Sequence, residues 1–255
     1  MSIDANINGY PHTETILDMD QFLVTEKIKI RRNNPVASCH SVIWPWHFPA
    51  ELSQALVDKG QIIRLQTKDS LSFYDVKQIQ LALLIQGSVK LVSSLTRLKH
   101  RIIDLYFPGE PLAISQTEAD CLSPRLEAHA DSFIYALSQK HFFQLCRQYP
   151  DLFEFFTYLK DSTLIKTQRH QLVLSNFSAQ KKLAYFLVNA CRKLNLNTRK
   201  EVVLQLPMSR VDMSDYLNLS PETLCRTLQV LQSQGLIVSA KNKLIIPDFQ
   251  ALLDL

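Results

Sequence analysis

Only five glycines occur in 255 residues, and they are scattered, so the chain has no glycine-rich loop to cradle a phosphate. H-E-x-x-H, G-x-S-x-G and H-x-H are missing as well, and His100 and His129 in the strand-like region stand far apart. The hydrolase, metallopeptidase and cupin-type enzyme readings thereby lose their usual carriers, and the chain is expected not to be an enzyme. Cys39, Cys121, Cys146, Cys191 and Cys225 stand singly without a C-x-x-C pair. That argues against a zinc ribbon, a thioredoxin-type centre or a locally clustered iron–sulfur site, and suits reduced thiols in a cytoplasm. Cys39, His40 and His47 in "SCHSVIWPWH" lack partners of diagnostic spacing, so no metal site is expected. No window approaches the ~18 consecutive apolar residues of a membrane span, and the opening "MSIDANINGYPHTETILDMD" has no apolar core of a signal peptide. A cytoplasmic location without a membrane partner is expected.

The composition, 46% hydrophobic and 20% charged, is that of an ordinary globular protein. At 255 residues the chain exceeds the usual domain size of about 100–200 residues, which predicts two domains. The net charge of +4 is unevenly placed: residues 1–177 carry 18 Lys+Arg against 18 Asp+Glu, and residues 178–255 carry 10 against 6. A basic C-terminal third mildly favours a polyanionic partner, although a plain soluble domain has such a balance too.

Residues 1–35 are polar, end near the basic cluster "KIKIRR", and are predicted to form a loosely docked extension. Phe48, Leu52, Leu56 and Val57 recur at helical spacing before Gly60. From 61 to 139 the segments "QIIRLQ", "LALLIQGSVKLVSS", "HRIIDLYFPGE", "RLEAHA" and "FIYALS" are punctuated by Gly87, Pro108-Gly109 and Pro124, which predicts a small antiparallel barrel or jelly roll. "QKHFFQLCRQYP" predicts a short helix. Asp151 to Ser175 then runs without Gly or Pro, and Leu152, Phe156, Leu159, Thr163, Lys166, His170 and Val173 follow the alternating spacing of a coiled-coil seam with polar members in its middle. This predicts a dimer helix; the alternative is a long helix lying against its own barrel. Ser178 is placed to cap a further helix, "EVVLQLP" predicts a strand, and "LIVSAKNKLIIP" a hairpin turning near Lys241-Asn242.

Between 208 and 235, "MSRVDMSDYLNLSPETLCRTLQVLQSQG" carries the functional pattern. Ser209 with Asp212 forms a capping-box-like start, and Asn218 tolerates the left-handed backbone of a tight turn. Ser220 caps a second helix with Pro221 at its first position. Two helices joined so closely make a helix-turn-helix. At 100° per residue Leu224, Leu228 and Leu231 face one way and Glu222, Cys225, Arg226, Gln229 and Ser233 the other, beginning at the end that DNA-reading helices place in the major groove. Glu222 also has a local explanation, through the helix dipole or an i,i+4 pair with Arg226. Cys225 also suits simple packing.

Asp212-Met213, Leu217, Ser220, Glu222-Thr223-Leu224-Cys225-Arg226, Leu228, Leu231 and Gly235-Leu236-Ile237 together resemble the C-terminal domain of the Crp/Fnr family of bacterial transcription regulators. "LALLIQGSVKL" and "RIIDLYFPGEPLA" are similar to the strands of that family's cyclic-nucleotide-binding-like barrel, and the long helix falls where the family places its dimerisation helix. The resemblance implies an α+β fold: extension 1–35, barrel sensor domain 36–149, dimerisation helix 150–176, winged helix-turn-helix 177–255. It implies a homodimer formed through 151–175 that binds double-stranded DNA as an inverted repeat and contacts RNA polymerase. Arg226 would pair with a guanine edge and Glu222 would accept from cytosine N4, with Cys225 at the third reading position. Ser209, Arg210, Ser220, Thr223, Lys241 and Lys243 would meet the backbone.

Departures sharpen this. Pro221 stands where the cyclic-AMP-responding branch generally has arginine, so the reading helix is closer to the Fnr branch and implies TTGA-like half-sites. Cys225 replaces that branch's serine. The Fnr branch's N-terminal cysteine group is missing, which argues against an iron–sulfur cluster. Gly109-Glu110 stands where the family's phosphate cassette begins, but "CLSPRL" departs from its ending, leaving Gly109, Glu110, Ser123 and Arg125 as the effector candidates. No cofactor is expected. The rival reading is a cyclic-nucleotide-binding regulatory protein whose helix-turn-helix contacts protein.

Overall fold

A computed structural model of the chain describes residues 48–72, 78–96, 99–112, 124–194, 196–198, 201–206, 208–240 and 243–255. The expected extension 1–35, Cys39, His40, His47, Cys121, Ser123, Lys241 and the turn at Lys241-Asn242 lie outside the described residues. Helix α1 (Ala50–Lys59) precedes the strands β1 (Gln61–Leu65), β2 (Ser70–Ser72), β3 (Ile79–Gln86), β4 (Val89–Thr96), β5 (Lys99–Tyr106), β6 (Arg125–Ala128) and β7 (Ser132–Ser138). Next come α2 (Gln139–Gln148), the long α3 (Asp151–Asn176) and α4 (Ala179–Lys193). The chain closes with β8 (Val202–Leu204), α5 (Arg210–Tyr216), α6 (Pro221–Ser233), β9 (Val238–Ala240), β10 (Lys243–Ile246) and α7 (Phe249–Leu253).

The first seven strands form two antiparallel sheets, ordered β1-β7-β3 and β2-β6-β4-β5. Side chains alternate along a strand, so one set from each sheet turns inward. Leu65, Leu84 and Ile134 from the first sheet meet Val89, Leu91, Tyr106 and Leu126 from the second, and all are buried. The space between the sheets is therefore filled by apolar side chains. The outer face of β3 and β7 is covered too: Leu81, Leu83, Tyr135 and Leu137 pack with Leu52, Leu56, Phe142, Leu145 and Phe155 of the helices. At the end of α1, a Cβ on Gly60 would collide with the Tyr135 ring. Glycine there lets the ring lie against the backbone, and the Tyr135 hydroxyl donates to the Leu56 carbonyl at 2.7 Å.

Helix α3 begins behind Pro150 with Asp151 and Glu154 in its first turn, where carboxylates favour the helix dipole. The expected dimer seam faces inward on the same chain. Leu152, Leu159 and Val173 are buried, Phe156 is half-buried against the α1–α2 core, and Lys166 and His170 engage groups of the same chain. The helix does lie against its own barrel along that face. Of the polar members of the seam, Lys166 meets carboxylates and His170 a tyrosine of the same chain, and the Thr163 hydroxyl donates to the Leu159 carbonyl at 2.8 Å. The apolar side chains that α3 exposes are Phe153, Tyr158, Leu164, Ile165 and Leu172. Tyr158, Ile165 and Leu172 are spaced by seven and belong to a different stripe of the helix.

The C-terminal part has its own core, in which Leu183, Phe186 and Leu187 of α4 meet Met213, Leu217, Leu224, Leu228, Leu231, Leu244 and Ile246. Leu105 and Phe107, from β5 and the residue just past it, belong to this same cluster. The three-stranded sheet β8-β10-β9 closes it, with Leu244 opposite both Leu204 and Ser239.

Candidate nucleic-acid interface

Ser209 starts α5 by accepting from the Asp212 amide at 3.0 Å while its hydroxyl donates to Asp212 Oδ2 at 2.9 Å. The helix ends after seven residues, and Asn218 turns the chain at φ 51°, the left-handed region that asparagine tolerates better than most residues. Ser220 then caps α6, accepting from the Thr223 amide at 3.1 Å, with Pro221 at the first turn where its missing N–H costs nothing. Leu224 and Leu231 of α6 are fully buried and Thr227 nearly so, its hydroxyl donating to the Thr223 carbonyl at 2.7 Å. Each such leucine contributes about 1.5–3 kcal/mol by leaving water. The inner face is therefore anchored.

The outer face is open. Glu222, Cys225, Arg226 and Gln229 are all exposed. Among the described residues no ion pair joins Glu222 to Arg226. Instead the Ser220 hydroxyl, and then the amide of Glu222 itself, hold the Glu222 carboxyl below its ordinary value. A hydroxyl has one proton and two lone pairs, so if Ser220 donates to Glu222, the 3.0 Å contact between the Ser220 and Thr223 hydroxyls is donated by Thr223. Glu222 is a preset acceptor beside the free guanidinium fork of Arg226. Of the expected backbone-contacting residues, Ser209, Ser220 and Thr223 have hydroxyls engaged in the caps. Arg210 donates to the Ser239 hydroxyl of β9 at 3.2 Å, and Lys243 is exposed on β10.

Of the expected effector residues, Gly109, Glu110 and Arg125 are described, and Glu110 and Arg125 are each engaged by neighbours other than one another. Gly109 takes φ +88° in the turn after β5. The carboxylate of Glu110 is occupied: Oε2 accepts from the Phe107 amide at 2.8 Å, and Oε1 lies 2.7 Å from Lys193 Nζ and 3.4 Å from Lys166 Nζ. Arg125 is paired along its own strand with Glu127 at 2.7 Å. The signature Gly-Glu is thus turned toward lysines of α3 and α4.

Sequence reasoning missed the contacts that seat the C-terminal part on the barrel. Asp215 of α5 uses both oxygens, one on Arg101 at 2.7 Å and one on the Ile102 amide at 2.7 Å. Asp212 takes Lys90 at 2.9 Å, and Lys90 also reaches Glu127 at 3.3 Å. His170 of α3 stacks on Tyr216 with ring centroids 4.3 Å apart. These partners lie 37 or more positions apart, and no local pattern couples them.

Two histidines at this junction carry a pH dependence. Burial lowers His129, with Asp212 opposing and Lys90 reinforcing. Burial also lowers His170, with Asp104 and the Tyr216 backbone opposing and Lys166 and Lys193 reinforcing. A lowered folded-state value means that the folded chain binds fewer protons than the unfolded one as pH falls below about 6.5, so stability drops through that window. Asp212, held low despite its burial by Lys90 and Ser209, adds stability that is lost only in stronger acid, below the ordinary carboxylate range. The thermal midpoint is expected to fall between pH 7 and 5.5, and to fall less steeply in a His129→Gln/His170→Gln protein. Equal slopes in differential scanning calorimetry would contradict this.

Residues 181–255 match the family model of the Crp-like helix-turn-helix domain. Nitrogen fixation regulation protein FixK of Bradyrhizobium diazoefficiens is 26% identical over 182 residues, covering 70% of this chain and 71% of that protein. Transcriptional activatory protein AadR of Rhodopseudomonas palustris is 27% identical over 199 residues, covering 76% and 78%. Among solved structures, FixK2 from Bradyrhizobium japonicum superposes with a TM-score of 0.64 at 20% identity, over 77% of this chain and 96% of that one, which shows a shared fold. The α+β architecture, the helix-turn-helix and these relatives give one conclusion: residues 181–255 form a Crp-like helix-turn-helix domain, in a chain that is similar over most of its length to transcription regulators of the Crp/Fnr type.

Proposed function

We propose that this regulator acts as a homodimer on an inverted repeat with TTGA-like half-sites, reading them with Glu222, Cys225 and Arg226. The observation that carries this reading is the exposed row at the capped start of α6, whose opposite face is locked into a core. Arg226 supplies a bidentate donor for guanine N7 and O6, and Glu222 an acceptor for cytosine N4. Cys225 offers a weak hydrogen-bonding group between them. Arg210, Lys243 and Lys241, with the capping hydroxyls of Ser209, Ser220 and Thr223, serve the phosphate backbone, and RNA polymerase is the protein partner. The exposed stripe Tyr158, Ile165 and Leu172 is the dimer seam, displaced from the stripe that the sequence suggests. Engagement of Glu110 and Arg125 with their own neighbours favours DNA binding that does not respond to cyclic nucleotides.

Site selection from random duplexes by the full-length protein, with and without cyclic AMP and cyclic GMP, tests this. An inverted TTGA-like repeat with half-sites about one helical turn apart is the expected product in every condition. Failure to enrich any sequence would overturn the reading. Glu222→Ala is expected to relax preference at a single base pair while leaving nonspecific binding unchanged or stronger, because one carboxylate is removed from the DNA-facing side. Recovery of an unaltered consensus would assign Glu222 to the helix cap alone.

A further inference from the structure

Four charges meet where barrel, long helix and C-terminal part join. Asp104 on β5 and Glu110 just after it supply the carboxylates; Lys166 from the middle of α3 and Lys193 from the last turn of α4 supply the ammoniums. Lys166 Nζ is 2.8 Å from Asp104 Oδ2 and 3.4 Å from Glu110 Oε1, and Lys193 Nζ is 2.7 Å from that same Glu110 oxygen. The ammoniums also lie over aromatic rings, Lys166 over Tyr106 at 4.9 Å and Lys193 over Phe107 at 5.3 Å. Burial alone would lower Lys166, but the Glu110 and Asp104 carboxylates outweigh it and keep the value raised. Glu110 is the one carboxylate in this group that touches both lysines, so it links α3 to α4.

The same junction holds a second tether. Asp215 on α5 is fixed by Arg101 and the Ile102 amide of β5, and Asp212 by Lys90 of β4. On the C-terminal part these contacts fall on α4 and α5. The reading residues Glu222, Cys225 and Arg226 on α6 stay exposed. The junction therefore leaves the reading face open while fixing its direction relative to α3.

Building on the homodimer reading above, we propose that Glu110 and Asp215 are positioning residues: they hold each α6 at a fixed orientation to the dimer helix, so that both copies reach their half-sites together. An inverted repeat demands two readers about one helical turn apart. If each reader swings freely, the second binding event loses effective concentration, and the full site loses affinity while a single half-site does not.

The experiment uses the full-length chain carrying Glu110→Gln or Asp215→Asn. Binding is measured to the selected inverted repeat, to a duplex with one half-site scrambled, and to repeats with one or two base pairs inserted at the centre. Each substitution deletes a negative charge, so long-range electrostatics alone would tighten binding to every duplex. The expected result is the reverse for the full site: about tenfold or more weaker binding, unchanged binding to the single half-site, and a smaller penalty for inserted base pairs. Equal or tighter binding to the full site would overturn the proposal. So would parallel loss on both duplexes, which would mark damage to the reading module itself. Calorimetry on both variants checks folding, and the two substitutions lie on different elements, so a folding defect in one leaves the other as the test. A wild-type chain that enriches no repeat would instead defeat the DNA-reading proposal, an outcome separate from these.

Discussion

Arg226→Ala is expected to cost about 1–3 kcal/mol at the cognate site, roughly a 5- to 150-fold loss, and little on random duplex. The asymmetry follows from the surroundings of the side chain. Arg226 is exposed on the outer face of α6, its backbone is held by Leu224, Leu228 and Leu231 on the inner face, and no ion pair among the described residues competes for its guanidinium. A planar fork free to form two parallel hydrogen bonds discriminates guanine; a charge near phosphate would add the same increment to every sequence. Truncation leaves the core and both caps untouched, so the fold should be unaffected. Titrations of cognate and scrambled duplexes at two salt concentrations separate the outcomes: equal losses with a shallower salt slope would make Arg226 a phosphate contact.

The second large effect belongs to α3. Ile165→Glu together with Leu172→Glu is expected to convert the proposed dimer to monomers and to reduce affinity for the proposed inverted repeat about a hundredfold or more, toward that of a single half-site. Both side chains are more than half exposed, at 55% and 63%, so placing carboxylates there spares the core of the chain itself. In a two-fold dimer the same residue of each copy lies near the axis, and like charges would be brought together in a desolvated seam. Sedimentation of the variant as a dimer would place the interface elsewhere. The stripe Leu152, Leu159 and Val173 is not a usable alternative, since all three are already buried within the chain, Leu152 and Leu159 in the core between the helices and the barrel.

The difference between these two stripes shows what a sequence makes legible. Caps are local: Ser209 with Asp212, Asn218, and Ser220 before Pro221 each state their geometry within four residues, and the helix-turn-helix follows them closely. The strands from Gln61 to Ser138 were legible for the same reason, by alternation and breakers, although β2 with three residues and α7 with five are too short to leave a period. The α3 seam failed because a helix can carry apolar residues at sevenfold spacing on more than one stripe, and the sequence does not say which stripe the barrel will take. Lys166 and His170 are polar interruptions of the stripe as far as local spacing goes; their partners Asp104 and Tyr216 stand 62 and 46 positions away. Glu110 has a distant partner of the same kind. Its Gly-Glu context matches a ligand cassette locally, whereas Lys193, which occupies it, lies 83 residues further on.

Leu105 and Phe107 have a consequence for where one unit ends and the next begins. They leave the barrel at β5 and are counted among the apolar side chains around Leu187, Met213 and Leu228, while their neighbour Tyr106 points back between the two sheets. A single short stretch is thus shared by two interiors, one side chain at a time. A cut near residue 177 would separate the chain at a turn between helices and still strip the C-terminal piece of part of its own interior. Melting of either half must pull on the other, so the cooperative unit of this regulator is larger than either half that its sequence delimits.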